Sequence, residues 1–464
     1  MNLQQQLRQP MRYPDSRNPY FMSKRARWLL VLGFLLPGSA QILTGKARKL
    51  GRFALGATLS LIGAALLIGI FWFVSRETIL TLVTNKWFLL AFQAILVGYA
   101  LLWVIVGLHT LSLLRLPRVG RAWRLPLALI SLAVTLLPAV AVAQGVMNIN
   151  AGRELINAVF KNDGPAVAPI NGRYNILLLG TDAGADREGL RPDSISLISV
   201  EAETGRAVVI GLPRELNEPP FREGSPMERA YPKGFGVKNG CHVGKCQLNH
   251  VYAEAQYFMP GIYPDAKARN SEPGIEATKD AVSGATGLQV QFYVMLNMDS
   301  FERLIDALGG VTVNVPERLP IGGDAYGNGV EGYIEPGQQK LDGFHAIWFA
   351  RSRYGSATGD YARMERQRDL QEAILRQMTP AKVLSNFQAI AASSQHLVST
   401  DIPQSMLGKF SDLALKSREF PMERVELTPA NGVAEGDPDY NVVLNLVRAG
   451  VEKASKPADK KKDR

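Results

Sequence analysis

The chain has 464 residues, enough for two or three structural units, and a formal net charge of +10. The charge is unevenly placed: residues 1–150 hold 16 Lys and Arg against 2 Asp and Glu, and the remainder holds 36 against 40. The globular part is therefore slightly acidic. A nucleic-acid-binding domain would carry its positive excess on the folded face, so no nucleic-acid partner is expected.

A basic tail, residues 1–27 (Arg8, Arg12, Arg17, Lys24, Arg25, Arg27), precedes a membrane region over 28–147. Three apolar runs, Phe53–Val74, Trp87–Leu114 and Leu125–Met147, are long enough to cross a bilayer. A fourth, Trp28–Leu43, is short and broken by Pro37-Gly38-Ser39. The stretches Lys46–Arg52 and Arg115–Arg124 are basic, whereas Ser75–Lys86 is nearly neutral. Placing the basic stretches in the cytoplasm makes Trp28–Leu43 a re-entrant or interfacial hairpin. Three spans then put everything after Met147 outside the cytoplasm. The expectation is a multi-pass protein of the cell membrane, in contact with its lipid, with an extracytoplasmic C-terminal domain.

A polar linker, Asn148–Arg173, leads into a globular domain over 174–455, and a Lys-rich tail, residues 456–464, is expected to be disordered. Tyr174–Gly180 is a short continuous apolar run that reads as a buried central strand. Ser194–Val200, Arg206–Gly211, Gln291–Leu296 and Val311–Val315 read as further strands. Gln247–Met259, Ile275–Ala285, Asp299–Leu308, Leu341–Ala350 and Tyr361–Met378 read as helices. This alternation predicts an α/β domain of three layers, α/β/α, with a central mixed sheet behind an all-α membrane region. Cys241 and Cys246 lie in a glycine-bearing loop; in an exported domain they are expected to form a disulfide. The rival is a metal site with His242 and His250, although the spacing matches no standard zinc pattern.

The densest chemistry is Arg351-Ser352-Arg353 followed by Asp360, Arg363, Arg366 and Gln367. Guanidinium forks fit phosphate oxygens bidentately, so such a set suggests a phosphate or pyrophosphate. The competing reading is a solvated, salt-bridged helix. On a helix, Asp360, Arg363 and Gln367 share one face and Arg366 points away from it. Asp182 follows the first strand and Asp193 precedes the second, at the sheet end where open α/β folds bind ligands. Two carboxylates beside phosphate-seeking arginines suit Mg²⁺, although either aspartate alone could be a turn cap. Arg214, after the third strand, reads equally well as a surface charge. No Gly-x-Ser-x-Gly, His-Glu-x-x-His or phosphate-loop signature occurs, so a serine hydrolase or zinc peptidase is not expected.

Taken in order, the segments Asn175–Asp182, Arg191–Ser194, Leu212–Arg214, Gln247–Asn249, Ala307–Val311, Leu341–Gly343, Phe349–Arg353 and Asp360–Gln367 resemble the LytR-CpsA-Psr family of cell-envelope phosphotransferases. The cysteine pair and the several spans resemble its actinobacterial branch, which favours the disulfide. The resemblance implies transfer of a glycopolymer from a polyprenyl-pyrophosphate carrier onto peptidoglycan, leaving a phosphodiester link. It matches Asp182 and Asp193 to carboxylates that bind Mg²⁺. It matches Arg214, Arg351, Arg353, Arg363 and Gln367 to positions gripping the pyrophosphate, and Asp360 to the carboxylate that holds the arginines; Arg214, Arg351, Arg353 and Asp360 form the catalytic set. The chain departs from the family at Glu215, where aspartate is common, and at Gly184, where an arginine is usual and Arg187 is a substitute. No general base is identifiable. The apolar helices over 344–350 and 361–378 read either as core or as a slot for the lipid. Rival functions are a polyprenyl-pyrophosphate-binding regulatory or sensory protein, and a lipid pyrophosphatase.

Overall fold

The N-terminal apolar runs form helices because unbroken stretches of Leu, Ile, Ala and Val satisfy every backbone group internally. In the computed structural model, which describes residues 9–181, 192–324, 328–353, 360–377 and 398–456, the chain divides into two units, Met1–Asn150 and Ala151–Arg464. The first contains α1 (Pro19–Leu35), α2 (Ser39–Thr44), α3 (Arg48–Val74), α4 (Arg76–Thr84) and α5 (Lys86–Leu114), and α6 runs Arg121–Val159. Three helical segments are long and apolar enough to cross a membrane: Arg48–Val74, Lys86–Arg118 and Arg121–Val159. The broken run forms α1 and α2 around Gly38, which sits at φ +96°. A Cβ on Gly51 of α3 would lie 2.7 Å from the Gly38 carbonyl, so glycine permits this close approach. Gln41 of α2 donates to Val106 O at 3.1 Å and to Thr110 Oγ1 at 3.0 Å on α5, satisfying polar groups that apolar surroundings would leave unpaired. Because α6 continues to Val159, the first part of the segment read as a linker is helical.

The second unit is built on a six-stranded sheet with strand order β10-β3-β2-β1-β4-β9. Its elements in chain order begin with β1 (Arg173–Thr181), β2 (Pro192–Glu201), β3 (Ala207–Leu212), α7 (Pro273–Thr286), β4 (Phe292–Asn297) and α8 (Met298–Ala307). Then come β5 (Val311–Val315), β6 (Leu319–Gly322), β7 (Val330–Ile334), β8 (Gly337–Leu341), α9 (Gly343–Arg351) and α10 (Asp360–Gln377). The unit closes with β9 (Val398–Thr400), α11 (Leu407–Ser417), β10 (Glu423–Glu426) and α12 (Tyr440–Ser455). β1 pairs antiparallel with β2 and parallel with β4, and β10 runs parallel to β3, so the sheet is mixed.

Alternation along the strands sorts side chains onto two faces. Leu177, Leu179, Leu197 and Ile210 belong to the core that includes Ala281 and Val282 of α7 and Val443 and Val447 of α12. On the opposite face, Tyr174, Val200 and Phe292 pack with Leu413 and Phe410 of α11. That face also meets α10, where Gln371 donates to Ser196 Oγ at 3.3 Å. The domain is thus α/β/α. Strands β5 to β8 with α8, α9 and α10 enclose a second, smaller core around Val313, Ile321, Phe349 and Leu370.

Several local expectations need correction. Leu341 ends β8 and the helix begins after it, because Asp342 caps α9 by accepting the His345 N–H at 2.9 Å. Over 247–259 the backbone changes from 3₁₀ (Leu248–His250) through a short α turn to a π segment (Glu254–Phe258). In the helices considered as a lipid slot, Ala346, Phe349 and Leu370 are committed to the smaller core. The stretch expected to be a disordered tail, beyond Lys456, lies outside the described residues.

Gly211 of β3 faces α10, and a Cβ there would collide with the guanidinium of Arg368. Arg368 is buried and ion-paired with Glu426 of β10, so it has little room to withdraw. Gly211→Ala is therefore expected to lower the unfolding free energy by about 1–3 kcal/mol, measured by denaturant titration of the full chain in detergent.

Candidate functional site

Antiparallel pairing of β1 with β2 and of β2 with β3 brings three chain segments to one end of the sheet. Thr181 is opposite Pro192, and Ile195 is opposite Leu212. The C-terminal ends of β1 and β3 therefore flank the N-terminal end of β2. Asp193 and Arg214 meet there in an ion pair, and Arg214 Nη2 also lies 2.9 Å from Glu215 Oε1. The loop carrying Arg214 is held by the Gln247–Asn249 segment: Asn249 N–H donates to Arg214 O at 2.9 Å and Leu248 N–H to Leu216 O at 3.0 Å. That explains in backbone terms why this short polar segment accompanies the arginine.

The second half of the cluster comes from α10. Asp360 opens the helix, favoured by the dipole at its N-terminus. Its Oδ2 lies 2.8 Å from Arg363 Nη2, one turn on, and its Oδ1 lies 3.4 Å from Arg353 Nε. Gln367 is engaged at both ends: it accepts from Ser194 Oγ at 2.8 Å and donates to Ala350 O at 3.1 Å. It ties α10 to β2 and to α9, and so braces the helix that carries Arg363. Arg366 is buried and donates to the Phe349 carbonyl at 2.9 Å and to the Ser352 carbonyl. It staples the end of α9 to α10 and thereby fixes Arg353. Arg351 is exposed at the end of α9, its guanidinium carbon 5.5 Å from the Trp348 ring centroid.

Electrostatics distinguish the arginines. Burial lowers the pKa of Arg363, Asp360 opposes that, and the nearby Arg353 and Arg214 add to it. Burial also acts to lower Arg214, but Asp193, with Asp360 and Glu215, more than offsets it and holds the group above its ordinary value. Among the described residues, the buried Nε–H groups of Arg214 and Arg363 find no hydrogen-bond partner. Such orphaned charged donors are costly unless an anion accepts from them. The cluster can therefore take a compact polyanion by exchanging internal carboxylates for phosphate oxygens.

Asp182 and Arg187 lie outside the described residues, so Asp193 alone represents the expected carboxylate pair. Among the described residues no group of three His, Cys, Asp or Glu gathers to hold a metal. Asp193 is engaged by Arg214, so a hard cation held there would have to complete its shell from water and phosphate oxygens. Away from this site, Cys241 and Cys246 are joined in a disulfide, with Cα atoms 5.8 Å apart. This uses both thiols, so the metal-site alternative with His242 and His250 does not hold. His242 instead lies with Nδ1 2.5 Å from the buried carboxylate of Glu254.

One acidic residue of the cluster was not singled out by sequence. Glu435 sits between β10 and α12, and its carboxyl is raised by burial and by nearby Glu215 and Asp360, against the pull of Arg214 and Arg363. Its surroundings, Gly432 to Pro438, read only as turn residues.

Residues 150–454 match the LytR_cpsA_psr family. A polyisoprenyl-teichoic acid–peptidoglycan teichoic acid transferase TagU of Oceanobacillus iheyensis is 28% identical over 236 residues, which is 50% of this chain and 60% of that protein. The cell wall biosynthesis protein LcpA of Corynebacterium glutamicum is 26% identical over 267 residues, covering 54% of this chain and 47% of that protein. The chain thus spans about half the length of the relatives it matches. The crystal structure of B. subtilis TagV aligns with 62% of this chain and 99% of that chain, at 18% identity and a TM-score of 0.43.

The two neighbouring arginines of α10 should separate stability from ligand binding. Arg366→Ala removes donors to two carbonyls and should lower the unfolding free energy by about 3 kcal/mol. Arg363→Ala relieves a desolvated charge crowded by two others and should change it by less than about 1 kcal/mol, or raise it. Denaturant unfolding of both variants in detergent checks the contrast.

Proposed function

Because the chain belongs to the LytR_cpsA_psr family, we propose that it transfers a glycopolymer from a polyprenyl-pyrophosphate carrier onto peptidoglycan, forming a phosphodiester link. The observation that supports this reading most is the convergence of Arg214, Arg353 and Arg363 with their carboxylates at one sheet end, where the Nε–H groups of Arg214 and Arg363 have no acceptor among the described residues. In this reading the membrane unit anchors the protein by several spans, with the basic loops in the cytoplasm and the C-terminal domain outside, where carrier and wall meet.

Phosphoryl transfer requires little covalent help from protein; positioning and charge stabilisation supply most of the acceleration. Arg214 and Arg363 would turn their Nε–H edges to the phosphate oxygens, releasing part of their hold on Asp193 and Asp360. Arg353, partly exposed, would reach the same group from α9, and Arg351 would add positive charge at the rim. Asp360 keeps Arg353 and Arg363 aligned, while Gln367 and Arg366 hold α9 and α10 in register. Asp182 and Asp193 would hold Mg²⁺, which neutralises phosphate charge when bound. The acceptor hydroxyl oxygen then forms a bond to the glycan-bearing phosphorus. The bond from that phosphorus to the bridging oxygen breaks, and prenyl phosphate departs.

The test uses full-length protein in detergent, a polyprenyl-pyrophosphoryl oligosaccharide and soluble peptidoglycan strands. The expected result is a joined product detected by mass, abolished by EDTA, restored by Mg²⁺, and slowed on the order of 10³-fold by Arg363→Ala. Release of phosphorylated saccharide without a joined product would instead make this a lipid pyrophosphatase. Binding without turnover would make it a sensor.

A further inference from the structure

We infer that Glu435 is the carboxylate that takes the proton from the acceptor hydroxyl during transfer, an inference that rests on the reaction proposed above. Glu435 lies on the loop joining β10 to α12, and that loop is fastened to the segment carrying Arg214 and Glu215. Asn217, three residues beyond Arg214, donates its backbone N–H to Glu435 O at 2.9 Å and its side-chain amide to Gly436 O at 2.8 Å. Tyr440, at the start of α12, donates its hydroxyl to Asn217 O at 2.6 Å. Both ends of the turn are thereby pinned to the site, and the half-buried Glu435 side chain lies within electrostatic reach of Arg214, Arg363, Glu215 and Asp360.

The four carboxylates here are not equivalent. Asp193 and Glu215 are each bound to Arg214, and Asp360 bridges Arg353 and Arg363. A carboxylate held by a guanidinium has its oxygens already engaged, so it is poorly placed to accept a substrate proton. Among the described residues the Glu435 carboxylate carries no hydrogen bond or ion pair. Burial, with two like charges nearby, instead raises its proton affinity, the direction that suits a group working near neutral pH. Tyr361, on α10, feels Glu435 and Asp360 from the other side, so the charged neighbours come from the β3 loop and α10.

The step balances. The acceptor oxygen forms its bond to phosphorus as the phosphorus–bridging-oxygen bond breaks, and the electron pair of that bond leaves with prenyl phosphate. The hydroxyl proton passes to the Glu435 carboxylate and then to water. Glu435 must be deprotonated to accept it, so transfer should rise with pH through its pKa.

The full chain in detergent is assayed with polyprenyl-pyrophosphoryl oligosaccharide and peptidoglycan strands across a pH series. Glu435→Gln should keep donor KM within about twofold, lower kcat by about 10²-fold, and lose the rising acidic limb. Glu435→Asp should keep part of the rate, and formate should partly restore Glu435→Ala. Wild-type kcat in Glu435→Gln, or an unchanged pH limb, overturns the inference while leaving the transferase reading intact. Loss of donor binding in Glu435→Gln would overturn it too, by assigning the residue to binding. A wild-type protein that takes donor yet joins no polymer overturns the transferase reading and the inference with it.

Discussion

The site depends on crowding several guanidinium groups where no water can fully solvate them. Arg363 is almost entirely buried and Arg214 largely so, and each is compensated by carboxylates of the same chain. A buried ion pair of this kind contributes little net stability, because desolvation offsets most of the Coulomb attraction. Its value is preorganisation: the positive charge is fixed in place before the ligand arrives, and the carboxylates prevent the arginines from swinging away. Among the described residues the Nε–H groups of Arg214 and Arg363 still lack acceptors, a deficit that an anion would relieve.

Holding that arrangement is the task of residues that brace the helices and strands around it. Arg366 fastens the end of α9 to α10, Arg368 fastens α10 to β10 through Glu426, and Gln367 links α10 to Ser194. Gly211 leaves the space into which Arg368 fits. Residues of one helix therefore divide between support and binding: Arg363 pairs with Asp360, whereas Arg366 reaches the carbonyls of Phe349 and Ser352 at the end of α9. The mixed sheet makes the same division at the strand ends, where antiparallel neighbours bring residues distant in sequence to a single edge.

Much of this was readable from the chain. The continuous apolar run at Tyr174–Gly180, the helix expected over Tyr361–Met378 and the three uncharged runs near the N-terminus are strong local signals, and over the described residues each forms the expected strand or helix. Elements fixed by tertiary pairing were not visible. Strands β6 to β8 are short and rich in Gly, Gln and Pro, and β9 and β10 are three and four residues long, too brief for alternation to register. At the site, arginine clustering was evident because guanidinium chemistry is specific. Glu435 was not, since its loop reaches the site only through the bonds of Asn217 to Gly436 and Tyr440, partners 219 and 223 residues away in sequence. Gln367 carried a binding expectation from the family resemblance; its hydrogen bonds to Ser194 and Ala350, which only the tertiary structure reveals, give it a bracing contact as well.

In the proposed reaction the arginine set is shaped for two linked phosphates rather than for negative charge in general. Calorimetric titration of the full chain in detergent with geranylgeranyl diphosphate and geranylgeranyl monophosphate measures this directly. The predicted result is a preference for the diphosphate of about a hundredfold, or about 2.7 kcal/mol, that collapses when Arg214, Arg353 and Arg363 are replaced by alanine. Equal affinity for the two lipids, unaffected by those replacements, would contradict it.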